Sequence, residues 1–339
     1  MKTLKINNRK RKKNIRNVKK GGGGAATAAT AATRHSTKKT TLKKNNTPEE
    51  FKQIKCSPMS LLEKDKKGEK NDFTCYNDDT LLKIRELWNS RHPDSKIDST
   101  ESYEIWKNVK NNMQNVCSNE SCWIKQIVND NKANKEIITH TFAPTSPKEW
   151  KKNPNEWLSS VDIVKVMKQY ENAYSCFEFI GPSPIDFDTR MMYNECVWPE
   201  LCNFQIEKYI KKNKNKIGII FNTDPHYKDG SHWISLFINI RKRFILYFDS
   251  NGNDTPPEIK VLVDRILAQC KKLGMNDMIF YENKLEHQKT NTECGMYSLY
   301  LIIQLLKDTH SYDYYMKNRI KDEEVEKLRK EYFNEEGTL

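Results

Sequence analysis

"SHWISLFINIRKRFILYFDS", Ser231 to Ser250, is the stretch whose reading decides the fold. Trp233, Ser235, Phe237 and Asn239 fall on one side of an alternation, and Ile234, Leu236, Ile238 and Ile240 on the other. A period of two predicts a strand. "RKRFILYFD" predicts a second strand, with Arg241–Arg243 at the turn between them. Such a hairpin sets the entry to its first strand, at His232, beside the exit from its second, at Asp249.

Outward from the hairpin the pattern stays regular. "IGIIFN" upstream is a short buried strand. "SNGND" breaks the chain after Asp249, and "PPEIKVLVDRILAQCKKLG" then reads as a helix. Its apolar positions are Ile259, Leu262, Val263, Ile266, Cys270 and Leu273; Pro257 suits its first turn and Gly274 its stop. "MIFYEN" is a further strand. From Met296 to Leu306 the residues are apolar on nearly every face, which predicts a buried central helix. Strands and helices in this order predict an α+β core.

Residues 49–142 predict a helical N-terminal domain. "DTLLKIRELW", "SYEIWKNVKNNM" and "CWIKQIV" each space apolar residues along a helical face. A Pro-rich connection, "APTSPKEWKKNPNEW", leads into a core domain over 143–339, whose first helix takes Ser159 or Ser160 as its N-cap.

Residues 1–48 hold 15 Lys or Arg and no acid, while the remainder balances 43 bases against 45 acids. This basic Gly/Ala/Thr-rich tail has few large apolar residues and is expected to be disordered. Its charge suits a targeting arm or a nucleic-acid partner. No apolar run matches a membrane span or a secretory signal, so no membrane partner is expected. The nine cysteines include no CxxC pair, and "CSNESC" (Cys117, Cys122) has no histidine at a ligand spacing. Reduced thiols, no metal and no cofactor are the expectation.

Cys294 opens the apolar helix in "EHQKTNTECGMYSLYLIIQLL" (Glu286–Leu306). Unpaired N–H groups and the dipole at a helix N-terminus favour an anion, which suits a thiolate nucleophile. Such a nucleophile needs a base, the base needs an orienting acceptor, and the oxyanion needs donors. His232 and Asp249 fit the first two requirements; the Gln288 amide and the Cys294 N–H fit the third. Gly295 is expected to leave room for substrate backbone. Taken singly, each residue has a plainer reading: Cys294 as core packing, His232 and Asp249 as polar strand ends.

The ordered set "SHW…FDS…HQKTNTECG" resembles the ubiquitin-like-protein-specific (Ulp/adenain-like) cysteine protease superfamily. Within it the wording is most similar to the maturation proteases of large DNA viruses, the African swine fever virus and giant-virus thiol proteases among them. The resemblance implies a papain-like/adenain-like cysteine protease core. It implies that Cys294 is the nucleophile, His232 the general base, Asp249 the orienting acid and Gln288 the oxyanion donor. It further implies an endopeptidase that cuts viral structural polyproteins after Gly-Gly-type sites during maturation, as a monomer in the virion and the viral factory of the host cytoplasm. A deconjugating protease for a SUMO- or ubiquitin-like modifier is the alternative. "KKGGGGAAT" resembles such a substrate, so self-cleavage near Gly22–Ala25 is a further expectation, beside the plainer reading of a spacer.

Overall fold

In a computed structural model the described residues are 50–69, 72–128 and 131–339, and they belong to one unit that spans 47–339. The basic tail, its Gly run and the self-cleavage expectation lie outside the described residues.

Among the described residues five helices come first: α1 (Pro58–Lys67), α2 (Asp78–Arg91), α3 (Ser102–Met113), α4 (Glu120–Ile127) and α5 (Asn131–Thr141). Polar residues start three of them, as Ser57, Asn77 and Asn119 each accept a backbone N–H with their side chains. Their apolar faces meet in one core that includes Leu81, Ile84, Trp88, Ile105, Val109 and Trp123. The sequence reading gave the whole region as helical and singled out segments of α2, α3 and α4, but not α1 or α5.

A second group follows: α6 (Ser160–Ala173), β1 (Phe177–Pro184), α7 (Pro199–Cys202), α8 (Ile206–Lys211), β2 (Lys216–Asn222), β3 (Trp233–Asn239), β4 (Phe244–Phe248), α9 (Pro257–Lys272), β5 (Ile279–Glu282) and α10 (Cys294–Leu306). Ser159 is the N-cap of α6 and forms a capping box with Asp162. The chain ends in α11 (Tyr312–Lys317), α12 (Asp322–Lys327) and α13 (Arg329–Tyr332). No described helix is long and apolar enough to cross a membrane.

The described strands form one sheet in the order β1-β2-β3-β4-β5. β2, β3 and β4 pair antiparallel; β1 and β5 add parallel strands at the two edges. The sequence reading missed β1, because "FEFIGPSP" carries two prolines. Its place at the edge explains why they are tolerated, since an edge strand can leave one side of its backbone unpaired.

One face of the sheet, with Phe177, Phe179, Phe237, Phe244 and Phe248, packs on α10 and α6. The other, with Ile217, Ile219, Ile234, Leu236, Ile238 and Ile245, packs on Ile259, Leu262, Val263 and Ile266 of α9. Gly218 lets α10 approach β2: a Cβ there would lie 2.8 Å from Ile302 and 3.0 Å from the Phe177 ring. At the far end of α10 the buried Lys216 ammonium donates to the Leu306 carbonyl at 2.7 Å and pairs with Asp308 at 2.6 Å. A cation at the C-terminal carbonyls favours the helix dipole and anchors the central helix.

The helical region and the core are tied directly. Gln169 on α6 donates to the carbonyls of Thr139 and Phe142. Asn334 near the C-terminus accepts the N–H of Lys55 and donates to the carbonyls of Lys55 and Ala143.

The cysteines differ from expectation. Three disulfides join Cys56 to Cys75, Cys117 to Cys122 and Cys196 to Cys202, leaving Cys176, Cys270 and Cys294 free. Pairing depends on Cα atoms folding to 5.1, 5.5 and 6.3 Å, which spacing along the chain does not reveal.

Candidate active site

The hairpin does what its ends required. β3 begins at Trp233, just after His232, and β4 ends at Phe248, just before Asp249. His232 Nε2 lies 2.7 Å from Asp249 Oδ1. That contact leaves Nδ1 as the ring nitrogen that can face the thiol, and Cys294 is close enough to the imidazole to help raise its pKa. Cys294 is the first residue of α10 and is buried.

Asp249 is almost fully buried, yet both its oxygens have partners. Oδ1 also accepts the Asn251 N–H at 2.9 Å, and Oδ2 accepts Asn253 Nδ2 at 2.9 Å. Burial alone raises a carboxyl pKa; here the His232 hydrogen bond and charge and these donors outweigh it and lower the value. For His232 burial pulls the pKa down, but the hydrogen bonds and charges of Asp249 and Cys294 win and raise it to about 9. The imidazole therefore holds its proton at neutral pH when a thiolate stands beside it.

Gln288 lies in the loop before α10 and is buried. Its Oε1 accepts the Ser250 hydroxyl at 2.8 Å, and its Nε2 donates to the Thr290 carbonyl at 2.6 Å. One amide hydrogen is thereby spent on the loop, and the second is left for a ligand. The Ser250 carbonyl also accepts the N–H groups of His287 and Gln288. Ser250, adjacent to Asp249, thus joins the candidate acid to the candidate oxyanion donor.

Sequence reasoning missed Ser250, Asn253 and Asn283, which donates to the Asp249 carbonyl at 3.0 Å. "FDSNGND" holds Ser250 and Asn253 but read as a chain break, and Asn283 read as the end of the "MIFYEN" strand. It also missed His287, whose burial holds its pKa down to about 4. The neutral ring accepts the Ile320 N–H at Nδ1.

Gly295 has a different role from the one expected. A Cβ there would lie 3.1 Å from Trp233 and 3.2 Å from Leu158, so the missing side chain makes room for protein packing. The same Trp233 donates its indole N–H to the Leu158 carbonyl at 3.0 Å. Trp233 also borders a cavity of about 340 Å3 lined by Pro182, Pro184, Trp198, Asn222 and Asp224. A larger cavity of about 800 Å3, between Trp150, Arg329 and Phe333, lies away from His232 and Cys294. Neither cavity is lined by His232 or Cys294; the smaller one meets the candidate site through Trp233, the residue after His232. Among the described residues no three His, Cys, Asp or Glu side chains converge as a metal site requires.

A buried thiol beside an imidazole with a carboxylate behind it is the arrangement a cysteine peptidase needs. Residues 202–338 match the Ulp1 protease family, C-terminal catalytic domain, and with its thiol-protease relatives this match makes the chain a cysteine peptidase similar to that family. It is 29% identical over 286 residues to a "Putative thiol protease" of Acanthamoeba polyphaga mimivirus, covering 78% of this chain and 90% of the relative. It is 29% identical over 208 residues to a "SUMO-1 cysteine protease" of African swine fever virus, covering 59% of this chain and 74% of the relative. The crystal structure of an African swine fever virus protease shares the fold, with a TM-score of 0.55, 21% identity, and 83% of this chain and 95% of that one covered.

Proposed function

We propose that the chain is an endopeptidase that cuts viral structural polyproteins after Gly-Gly-type sites during virion maturation. The observation that carries the chemistry is the His232–Asp249 contact of 2.7 Å, with the buried Cys294 beside the same ring at the start of α10. In this reading His232 takes the proton of Cys294, and the thiolate attacks the scissile carbonyl. The resulting oxyanion accepts hydrogen bonds from the Gln288 amide and the Cys294 N–H. His232 returns its proton to the departing amine, then activates the water that hydrolyses the thioester. Asp249 holds the ring in the tautomer with Nε2–H, so that Nδ1 is the basic nitrogen.

The substrate reading rests on two supports. Trp233 and Leu158 pack over Gly295 next to the candidate nucleophile, and on this reading the bulky wall they form admits residues without side chains next to the cut bond. Relatives in two large DNA viruses favour a viral substrate. On this reading the enzyme acts as a monomer, in the virion and in the cytoplasm where virions form. A second reading, removal of a SUMO- or ubiquitin-like modifier, draws on the swine fever virus relative, a SUMO-1 cysteine protease.

The test incubates wild type and Cys294→Ala with Gly-Gly peptides from virion proteins and with SUMO and ubiquitin fusions. Peptide cleavage by wild type alone supports the first reading. Fusion cleavage without peptide cleavage replaces it with the second.

A further inference from the structure

The segment after the central helix reaches back to the catalytic loop. Arg329 is buried, and its guanidinium meets the buried carboxylate of Glu293 with two parallel bonds: Nε to Oε2 at 2.9 Å and Nη2 to Oε1 at 2.8 Å. Nη2 also donates to the Thr292 carbonyl at 3.3 Å. Nη1 turns the other way and donates to the carbonyls of Glu156 at 2.9 Å and Pro154 at 3.4 Å. The Trp150 ring covers the guanidinium at 4.5 Å. One side chain thus fixes two segments that are far apart in sequence.

Both segments end at the chemistry. Glu293 precedes Cys294 and is the N-cap residue of α10, yet its side chain caps nothing in that helix. Its carboxylate is committed to Arg329 instead. Glu156 leads into Leu158, which packs against Gly295 and accepts the indole N–H of Trp233, the neighbour of His232. Asp322 acts in parallel a few residues earlier. It accepts the Lys289 N–H at 3.0 Å and the Thr290 hydroxyl at 3.3 Å, holding the residue whose carbonyl orients Gln288.

We propose that Arg329 is a positioning residue for the peptidase reaction: by bridging Glu293 to the 154–156 turn, it sets Cys294 against His232. Asp322 sets the Gln288 loop in the same way. The fork geometry is what matters, since a lysine can supply the charge but not the fixed planar donors that hold a carboxylate and two carbonyls together. The proposal rests on Cys294 and His232 being nucleophile and base.

The test uses the full chain and a probe that needs no knowledge of the substrate. Cys294 alkylation by iodoacetamide is followed by mass spectrometry from pH 5 to 10 in wild type, His232→Ala, Arg329→Lys and the double variant Glu293→Leu with Arg329→Met. Melting curves are recorded for each. The double variant guards against misfolding, because replacing both partners leaves no buried charge unpaired. Wild type is expected to react fast at neutral pH and His232→Ala to lose that reactivity. Arg329→Lys and the double variant are expected to fall about tenfold or more toward the His232→Ala profile, while the protein stays folded. Wild-type profiles in either folded Arg329 variant would overturn the brace, whatever their melting temperatures. A wild type that reacts no faster than His232→Ala would overturn the catalytic reading itself, and the brace with it.

Discussion

The two faces of the central sheet share the same strands and both bury an apolar core, yet only one carries the candidate catalytic residues. On the α9 face aliphatic side chains of β2, β3 and β4 meet Ile259, Leu262, Val263 and Ile266, with no buried acid or base among the described residues packed there. On the α10 face the phenylalanine core ends in a rim of buried polar groups: Asp249, Ser250, His287, Gln288, Glu293, Asp322 and Arg329. Each of these residues has a named partner, as burial demands, although Nε2 of His287 has none among the described residues. The difference lies at strand and helix ends, where backbone leaves regular pairing and side chains can be aimed.

The comparison is broken or sharpened by four measurements, in order of effect on activity. Cys294→Ala should lose about 10^4-fold or more of peptidase activity with its melting temperature little changed. Retention of activity would move the chemistry off the α10 face. Gln288→Ala should lower kcat about 10^2- to 10^3-fold at nearly constant KM. Ser250→Ala should follow in the same direction with a smaller loss, because it only orients the amide.

The pH profile is the third measurement. His232 keeps its proton until pH rises through about 9, so the basic limb of kcat/KM should fall there. Asp249→Asn removes the carboxylate that helps to raise that value, so the limb should move to lower pH. A limb that stays in place would show that Asp249 does not govern the ring. The sign for stability is the same. The raised His232 value stabilises the fold below the ordinary imidazole value of about 6.5, and that contribution is lost as pH climbs to about 9.

The smallest effect on activity belongs to the other face. Leu262→Ala should cost about 2–5 kcal/mol of stability, as large-to-small core changes do. Its kcat per folded molecule should match wild type, read by chemical denaturation and by activity at a temperature where the variant is folded. A lower kcat would mean that the two faces are mechanically one.

Much of this was legible in the chain. The alternation from Trp233 to Ile240 assigned each residue of β3 to its face, and the break at "SNGND" put Asp249 at a strand exit. The capping serine, the start of α9 at Pro257 and the apolar run after Cys294 were also readable, because each depends on near neighbours. β1 was lost because its prolines mimic a loop, and the disulfides because they depend on spatial approach. Glu293 and Arg329 were invisible as partners, because they stand 36 positions apart.

By itself, then, the sequence determined the hairpin, the central helix and the order His232, Asp249, Gln288, Cys294, because local periodicity and chain order are properties of the chain. Only the tertiary structure decided what holds that set in place. The Ser250 link to Gln288, the packing of Trp233 and Leu158 against Gly295, and the Arg329 bridge to Glu293 are contacts between distant segments. Nothing in the local sequence encodes them, since hydrogen bonds across space become specific only when burial removes the water that would otherwise compete.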